Sequence, residues 1–250
     1  MIVIKAGGSA ITDKSQPYTM RIEVMQAVAN QLKDATEPVI LAHGVGSFGH
    51  PLAKKYHITR GFDQTETNRL GFLYTHYWVD ELSQRFIKIL LDANIPVGRI
   101  HATSIFVTEK RRIVTFFDEP LRRYLDLGII PVLHGDGPTD RSQGFCVLSA
   151  DQTVVYLARH FGATRVIFGI DVDGILQEGQ TVPHLKYQDL TRWQKIIADN
   201  KDASGGLPMK LKEIEALAGS GIPVHLINLT RPGTLAATLQ GEAVGTIITD

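Results

Sequence analysis

The 250-residue sequence holds a single cysteine, Cys146, so an internal disulfide is excluded, and with it the class of small secreted domains stapled by disulfides. Cys146 stands between Phe145 and Val147, the setting of a buried, inert thiol. No apolar run is long enough to cross a bilayer, and the N-terminus lacks the apolar length of a signal peptide. Net charge is missing too: 26 Lys and Arg balance 26 Asp and Glu. No global field therefore recruits nucleic acid or an anionic membrane, and any phosphate must be recognised by a few placed cations. The chain contains no repeats, low-complexity tracts or long linkers, and no His-x-x-x-His or cysteine cluster of the kind that holds a metal. The expectation is a soluble, cytoplasmic protein with no nucleic-acid or membrane partner and no dedicated metal site.

What is present is ordinary in bulk and specific in place. An apolar content of 44% and a charged content of 21% suit a globular protein, and the length suffices for one large core or two closely joined lobes. The chain is organised around two strand-to-glycine turns. The apolar run 38–42 leads into His43-Gly44-Val45-Gly46-Ser47-Phe48-Gly49-His50, and residues 2–6 lead into Gly7-Gly8-Ser9-Ala10-Ile11-Thr12-Asp13-Lys14. Such turns bring bare backbone close to a ligand. The spacing at 44–49 is formally the G-x-G-x-x-G dinucleotide fingerprint, a weak signal alone. Two such turns, one flanked by Lys5 and Lys14 and the other ending in His50, suit two phosphate groups facing each other. That is the pattern of a phosphoryl-transfer site.

Periodicity predicts helices over residues 20–32, 68–94, 118–127, 150–161, 190–198, 211–218 and 234–239. Strands are expected at 96–100, 131–134, 143–148, 165–170, 223–228 and 245–248, besides the two named above. Pro51 to Tyr56 is expected to form a helical turn after the 43–50 turn. Strands alternating with helices indicate a mainly parallel sheet covered on both faces. Along 68–94, Leu70, Leu73, Tyr77, Leu82, Phe86 and Leu90 are assigned to one side.

Lys5 interrupts an apolar strand, where an unpaired charge is costly, so a phosphate or a carboxylate should accompany it. Lys210 stands four residues after Gly206 at a helix start, where the helix dipole disfavours a cation without an anion. With Lys14, these cations beside glycine turns form a candidate phosphate cradle. His50, between Gly49 and Pro51, is placed to donate to an acceptor phosphate, or else simply caps the segment after it; His43 is expected to bond locally. Asp151 opens a helix and is either a first-turn acid favoured by the dipole or the counter-ion of Lys5 and Lys210; both readings stay open.

With these residues in place, essentially the whole chain resembles the amino acid kinase superfamily and, within it, the isopentenyl phosphate kinase family. The carriers are K-A-G-G-S-A-I-T-D-K at 5–14 and H-G-V-G-S-F-G-H at 43–50. Thr75-His76-Tyr77-Trp78-Val79, Gly135-Asp136, the D-V-D-G turn at 171–174, the glycine loop with lysine at 205–210 and Gly245-Thr246 add to them. The resemblance implies a three-layer αβα sandwich with a mainly parallel central sheet, usually as a homodimer. It implies an acceptor-binding lobe over approximately 1–134 and a nucleotide-binding lobe over 135–250. The implied reaction is transfer of the ATP γ-phosphate to isopentenyl phosphate, with Mg²⁺ carried in by ATP.

By position, Lys5, Lys14, His50 and Asp151 carry the chemistry, while Lys5, Gly7, Gly8, Ser9, Gly46, Asp171, Gly206 and Lys210 serve ATP. Val45, Gly49, His50 and Ala150 hold the acceptor phosphate; Phe72, Leu73, His76, Tyr77 and Phe86 on the long helix are the candidate wall for its hydrocarbon. The chain departs from the family pattern at Gly137-Pro138, Ala150, Gln152, Ile170, Ser204 and Leu207. A fosfomycin-type phosphonate kinase and a non-catalytic nucleotide-binding regulator of the same fold are the competing readings.

Overall fold

The structure is a computed structural model, and it describes residues 1–199 and 206–250. The expected loop at 202–206 lies outside the described residues except for Gly206. In chain order the N-terminal part runs β1 (Ile2–Ala6), α1 (Gly8–Ile11), α2 (Ile22–Leu32), β2 (Val39–His43), α3 (Gly46–Lys55), α4 (Glu66–Asp92) and β3 (Val97–Arg99). The middle holds α5 (Ala102–Ile105), β4 (Phe106–Glu109), β5 (Arg112–Phe116), α6 (Glu119–Asp126), β6 (Ile130–His134), β7 (Thr139–Asp140) and β8 (Gly144–Phe145). The remainder is α7 (Ala150–Phe161), β9 (Arg165–Ile170), β10 (Leu176–Gln177), β11 (Gln180–Thr181), β12 (His184–Lys186), α8 (Leu190–Asp199), α9 (Leu207–Ile214), β13 (Val224–Asn228), α10 (Thr234–Leu239) and β14 (Thr246–Thr249).

Eight strands form the central sheet in the order β12-β14-β13-β9-β1-β2-β6-β3. The pairings are parallel except that of β13 with β14. β1 lies between β2 and β9, and both flanking strands are buried over nearly their full length. The pleat sorts the side chains of β1: Ile2, Ile4 and Ala6 pack with α2, α4 and α10 on one face. Val3 packs on the opposite face with α7 and α9. Lys5 shares the parity of Val3, so its ammonium group is delivered to the α7–α9 side. Two apolar cores, one per face, make the three-layer αβα sandwich expected from the resemblance.

Several boundaries differ from the sequence reading. α3 begins at Gly46, five residues ahead of Pro51, which sits inside the helix. Pro51 cannot donate to the carbonyl of Ser47, and that carbonyl instead accepts the N–H of Tyr18 at 3.4 Å. The expected turn at 43–50 is thus a strand end and a helix N-terminus. α9 begins at Leu207 rather than 211. The hairpin β4–β5, which joins β7 and β8 in a four-stranded side sheet, has no counterpart in the sequence reading.

The long helix also does not carry one continuous apolar stripe. Leu70, Leu73, Tyr74 and Tyr77 recur at helical spacing and are 45–62% exposed. Leu82, Phe86 and Leu90 are fully buried. At about 100° per residue these two sets lie on opposite sides of the helix axis.

Candidate active site

The carboxyl ends of β1, β2, β6 and β9 open into one cleft of about 450 Å³. Its floor lies where the chain, having built β1 and β2 to one side, returns through β9 on the other; ligands of open parallel sheets bind at such a switch point. The turn after β1 and the turn after β2 meet backbone to backbone. A Cβ on Gly8 would stand 2.6 Å from the Gly46 amide nitrogen, and one on Gly44 would collide with the Gly8 nitrogen. Glycine is therefore required by contact between the two turns, before any ligand is considered. Among the described residues, no acceptor takes the amide N–H of Gly8, Ser9, Val45 or Gly46. These open donors all belong to cleft-lining residues and make a nest for anionic oxygens.

The cations stand around that nest. Lys5 Nζ and Lys210 Nζ each donate to the same oxygen, Oδ1 of Asp151, at 2.6 Å. Both readings of Asp151 hold, since it lies in the first turn of α7 and also pairs with the two lysines. Lys210 is the fourth residue of α9, and its Nζ lies 4.9 Å from the centre of the Phe168 ring. Burial pulls the Lys5 pKa down to about 8, against the raising influence of Asp151. Burial alone would raise the Asp151 pKa, but Lys210 and Lys5 override it and hold the carboxylate ionised. Asp171, just after β9, accepts from Ser9 Oγ at 2.7 Å and pairs with Lys14 Nζ at 3.6 Å. Lys14 is half exposed. Burial, then Lys5 and Lys14, lower the His50 pKa, so its imidazole is neutral at pH 7 when no anion is bound.

The other end of the cleft is apolar. Ala53, Ile58, Phe72, Val79 and Val147 line it, with Thr75 and His76. The Phe72 ring stacks on Phe145 at 4.0 Å between centroids. His76 Nδ1 lies 3.4 Å from Asp136 Oδ1. Gly137 accommodates this wall: a Cβ there would come within 2.6 Å of Phe72 and 2.7 Å of His76. That departure from the family pattern is thus matched by two rings that occupy the vacated space.

Most sequence-predicted site residues line this one cleft: Lys5, Gly7, Gly8, Ser9, Lys14, Val45, Gly46, Gly49, His50, Phe72, His76, Ala150, Asp151, Asp171, Gly206 and Lys210. Three do not. Leu73 and Tyr77 point away and are 55% and 62% exposed. Phe86 is on the cleft-facing side but lies about 10 Å further along the helix than Val79, in the core against His43. Thr75 and Val79 were missed as wall residues, although both stand in the T-H-x-x-V pattern. The 3.6-residue period through Phe72 picks them out.

Comparison with known proteins agrees with this geometry. The model of the amino acid kinase family matches residues 1–228, and the chain belongs to that family. Within it, the chain is 32% identical to isopentenyl phosphate kinase of Methanothermobacter thermautotrophicus, over 100% of this chain and 99% of the relative. It is 27% identical to isopentenyl phosphate kinase of Methanocaldococcus jannaschii, over 99% and 98% of the two chains. An X-ray structure of isopentenyl phosphate kinase superposes with a TM-score of 0.87 at 29% identity, covering both chains completely.

Proposed function

We propose that the protein is an ATP-dependent isopentenyl phosphate kinase that forms isopentenyl diphosphate by direct in-line transfer. The observation that carries this reading is the cleft itself. Three lysines, one histidine and a nest of open amides surround one end, and a short apolar pocket closes the other. A substrate that is a phosphate at one end and a small hydrocarbon at the other matches both ends.

An acceptor phosphate monoester has its second pKa at about 6, so near pH 7 its attacking oxygen is already deprotonated. No general base is needed, which agrees with an Asp151 whose carboxylate is committed to two lysines. The acceptor oxygen forms the new P–O bond as the bond between the γ-phosphorus and the β-phosphate oxygen breaks, and ADP leaves with that electron pair. The residues supply positioning and charge, the main needs of a loose phosphoryl transfer. Asp151 fixes Lys5 and Lys210 at the junction of the two turns. Lys14, on a flexible exposed stem, reaches the moving phosphoryl group, and the amides of Gly8, Ser9 and Gly46 donate to its oxygens. His50 donates a ring N–H to the acceptor phosphate.

Phe72, Val79 and Ile58 enclose the hydrocarbon. Gly206 and Asp171 border the nucleotide side. Mg²⁺ enters with the nucleotide and is held chiefly by its phosphates, because Asp171 is shared between Ser9 and Lys14. A homodimer would use exposed apolar surface, and the Leu70–Leu73–Tyr74–Tyr77 face of α4 is the candidate, checked by the mass of the protein in solution.

Phosphorus NMR of a mixture with ATP and isopentenyl phosphate tests the reaction. The coupled signals of a prenyl diphosphate should grow in step with ADP. Release of inorganic phosphate without a diphosphate product would overturn the proposal.

A further inference from the structure

We propose that Asp80, His101 and His134 form a binding site for a divalent transition metal of the zinc class, behind the acceptor end of the cleft. The three residues come from separate elements: Asp80 from the middle of α4, His101 from the residue before α5, and His134 from the end of β6. Their sequence separation hid the cluster from motif reading, and it revises the expectation that the chain has no metal-ligand group. Among the described residues it is the one group of three such side chains whose donor atoms lie within 4.8 Å of one another.

The two distances from the carboxylate are those of ligands around an ion, and the two imidazole nitrogens lie within 4.8 Å of each other. Asp80 Oδ1 lies 3.3 Å from His134 Nε2 and 3.4 Å from His101 Nδ1. With bonds of about 2.0–2.1 Å, two ligands of a tetrahedral zinc ion stand about 3.3 Å apart.

The environment of His134 adds an independent observation. Its side chain is 1% exposed, and Nε2 has no hydrogen-bond partner among the described residues. Nδ1 faces the Gly135 carbonyl at 3.0 Å, an acceptor only, so Nδ1 carries a proton and donates it. In the neutral ring this leaves the Nε2 lone pair facing Asp80 Oδ1 and the rest of the cluster. A metal-ligating histidine commonly donates its other ring N–H to a backbone carbonyl in this way.

Asp80 and His101 are 38% and 35% exposed, which leaves an entry path and room for a water as fourth ligand. The neighbouring Arg99 Nη1 lies 3.7 Å from Asp80 Oδ1. Its side chain is 30% exposed and can shift to the other carboxylate oxygen when a cation takes Oδ1. His43, whose ring lies 5.4 Å from that of His134, has its Nδ1 on the Gly44 carbonyl and stays outside the donor set. Two imidazole nitrogens and one carboxylate suit Zn²⁺ or Co²⁺ and not Mg²⁺.

A bound ion would tie α4 to the end of β6 directly beneath the cleft wall. Val79 precedes Asp80, and Gly135 to Gly137 come directly after His134; all of these line the cleft. The site is independent of the identity of the acceptor.

Untagged full-length protein is stripped with chelator, dialysed and titrated with Co²⁺, read by visible absorption, and with Zn²⁺, read by calorimetry in excess Mg²⁺. The expected result is saturation at one equivalent, displacement of Co²⁺ by Zn²⁺, and a higher unfolding temperature with Zn²⁺. His101→Ala and Asp80→Asn alter side chains about one-third exposed, and because Asp80 also pairs with Arg99 and His134, the effect of Zn²⁺ on the unfolding temperature is read for each variant against its own metal-free form. Each should weaken Zn²⁺ binding at least about tenfold, and the double variant should abolish it. Absence of saturable binding to the parent, or binding untouched by both substitutions, would overturn the proposal.

Discussion

Replacing Asp151 by asparagine keeps the shape of the side chain and removes the charge shared by Lys5 and Lys210. Both ammonium groups donate at 2.6 Å to one oxygen, so they stand no more than about 5 Å apart. The side chains of Lys5, Asp151 and Lys210 are 9%, 18% and 8% exposed. At an effective dielectric of about 20, two positive charges at that separation repel by about 3 kcal/mol. Removing one partner of a buried ion pair costs a similar amount, about 3–5 kcal/mol. Taking about 3 kcal/mol because Asp151 is partly exposed, Asp151→Asn should lower the unfolding temperature by roughly 10 °C for a chain of this length.

The double variant Asp151→Asn/Lys210→Met should recover most of that loss, since one of the two clashing ammonium groups is gone. Activity adds a second readout. Burial already holds the Lys5 pKa near 8 while Asp151 raises it; without the carboxylate it falls further. Lys5 would then lose its proton near neutrality, and the activity of Asp151→Asn should improve as the pH is lowered. Calorimetric unfolding and pH-dependent initial rates measure both effects. An unfolding temperature within about 2 °C of the parent, or no recovery in the double variant, would refute the shared-carboxylate account.

In the parent enzyme the same Lys5 pKa predicts that kcat/KM falls as the pH rises through about 8, because the free enzyme loses a cation there; a flat alkaline profile would remove Lys5 from phosphate binding. Lys14→Ala should lower kcat by about a hundredfold with little change in unfolding temperature, because the side chain is half exposed. His50→Ala should raise KM for the prenyl phosphate far more than KM for ATP, and His50→Gln should be milder because its amide still donates; equal changes in both KM values would point to a global effect. Phe72→Ala should raise kcat/KM for geranyl phosphate relative to isopentenyl phosphate, each newly buried CH₂ contributing about 0.8 kcal/mol, whereas Tyr77→Ala should leave that ratio unchanged.

The phosphate end of the cleft was legible in the sequence because its chemistry is local. A lysine in an apolar strand, two glycine turns and a histidine beside glycine each violate an ordinary pattern within a few residues. The contact between Gly8 and Gly46 and the three-way meeting of Lys5, Asp151 and Lys210 then result from strand order and pleat parity. The apolar end was read less well. Leu73 and Tyr77 share the outward face with Leu70, and the choice between opposite faces of a long helix depends on what packs against it. Pro51 hid the start of α3, because the carbonyl it leaves unpaired is satisfied by Tyr18 from a distant segment. In the hairpin β4–β5 the buried face of β4 is only Phe106 and the polar Thr108, and most of β5 is exposed, so the pairing left too little apolar alternation for periodicity to read.

The central claim is that this cleft phosphorylates a small prenyl phosphate. It is tested most directly by ATP consumption measured side by side with isopentenyl phosphate, dimethylallyl phosphate, fosfomycin and small amino acids as acceptors. The account predicts ADP release that depends on isopentenyl phosphate, at the highest kcat/KM of the series, with isopentenyl diphosphate formed mole for mole. ATP consumption that ignores isopentenyl phosphate, or that is faster with fosfomycin or an amino acid, would contradict it.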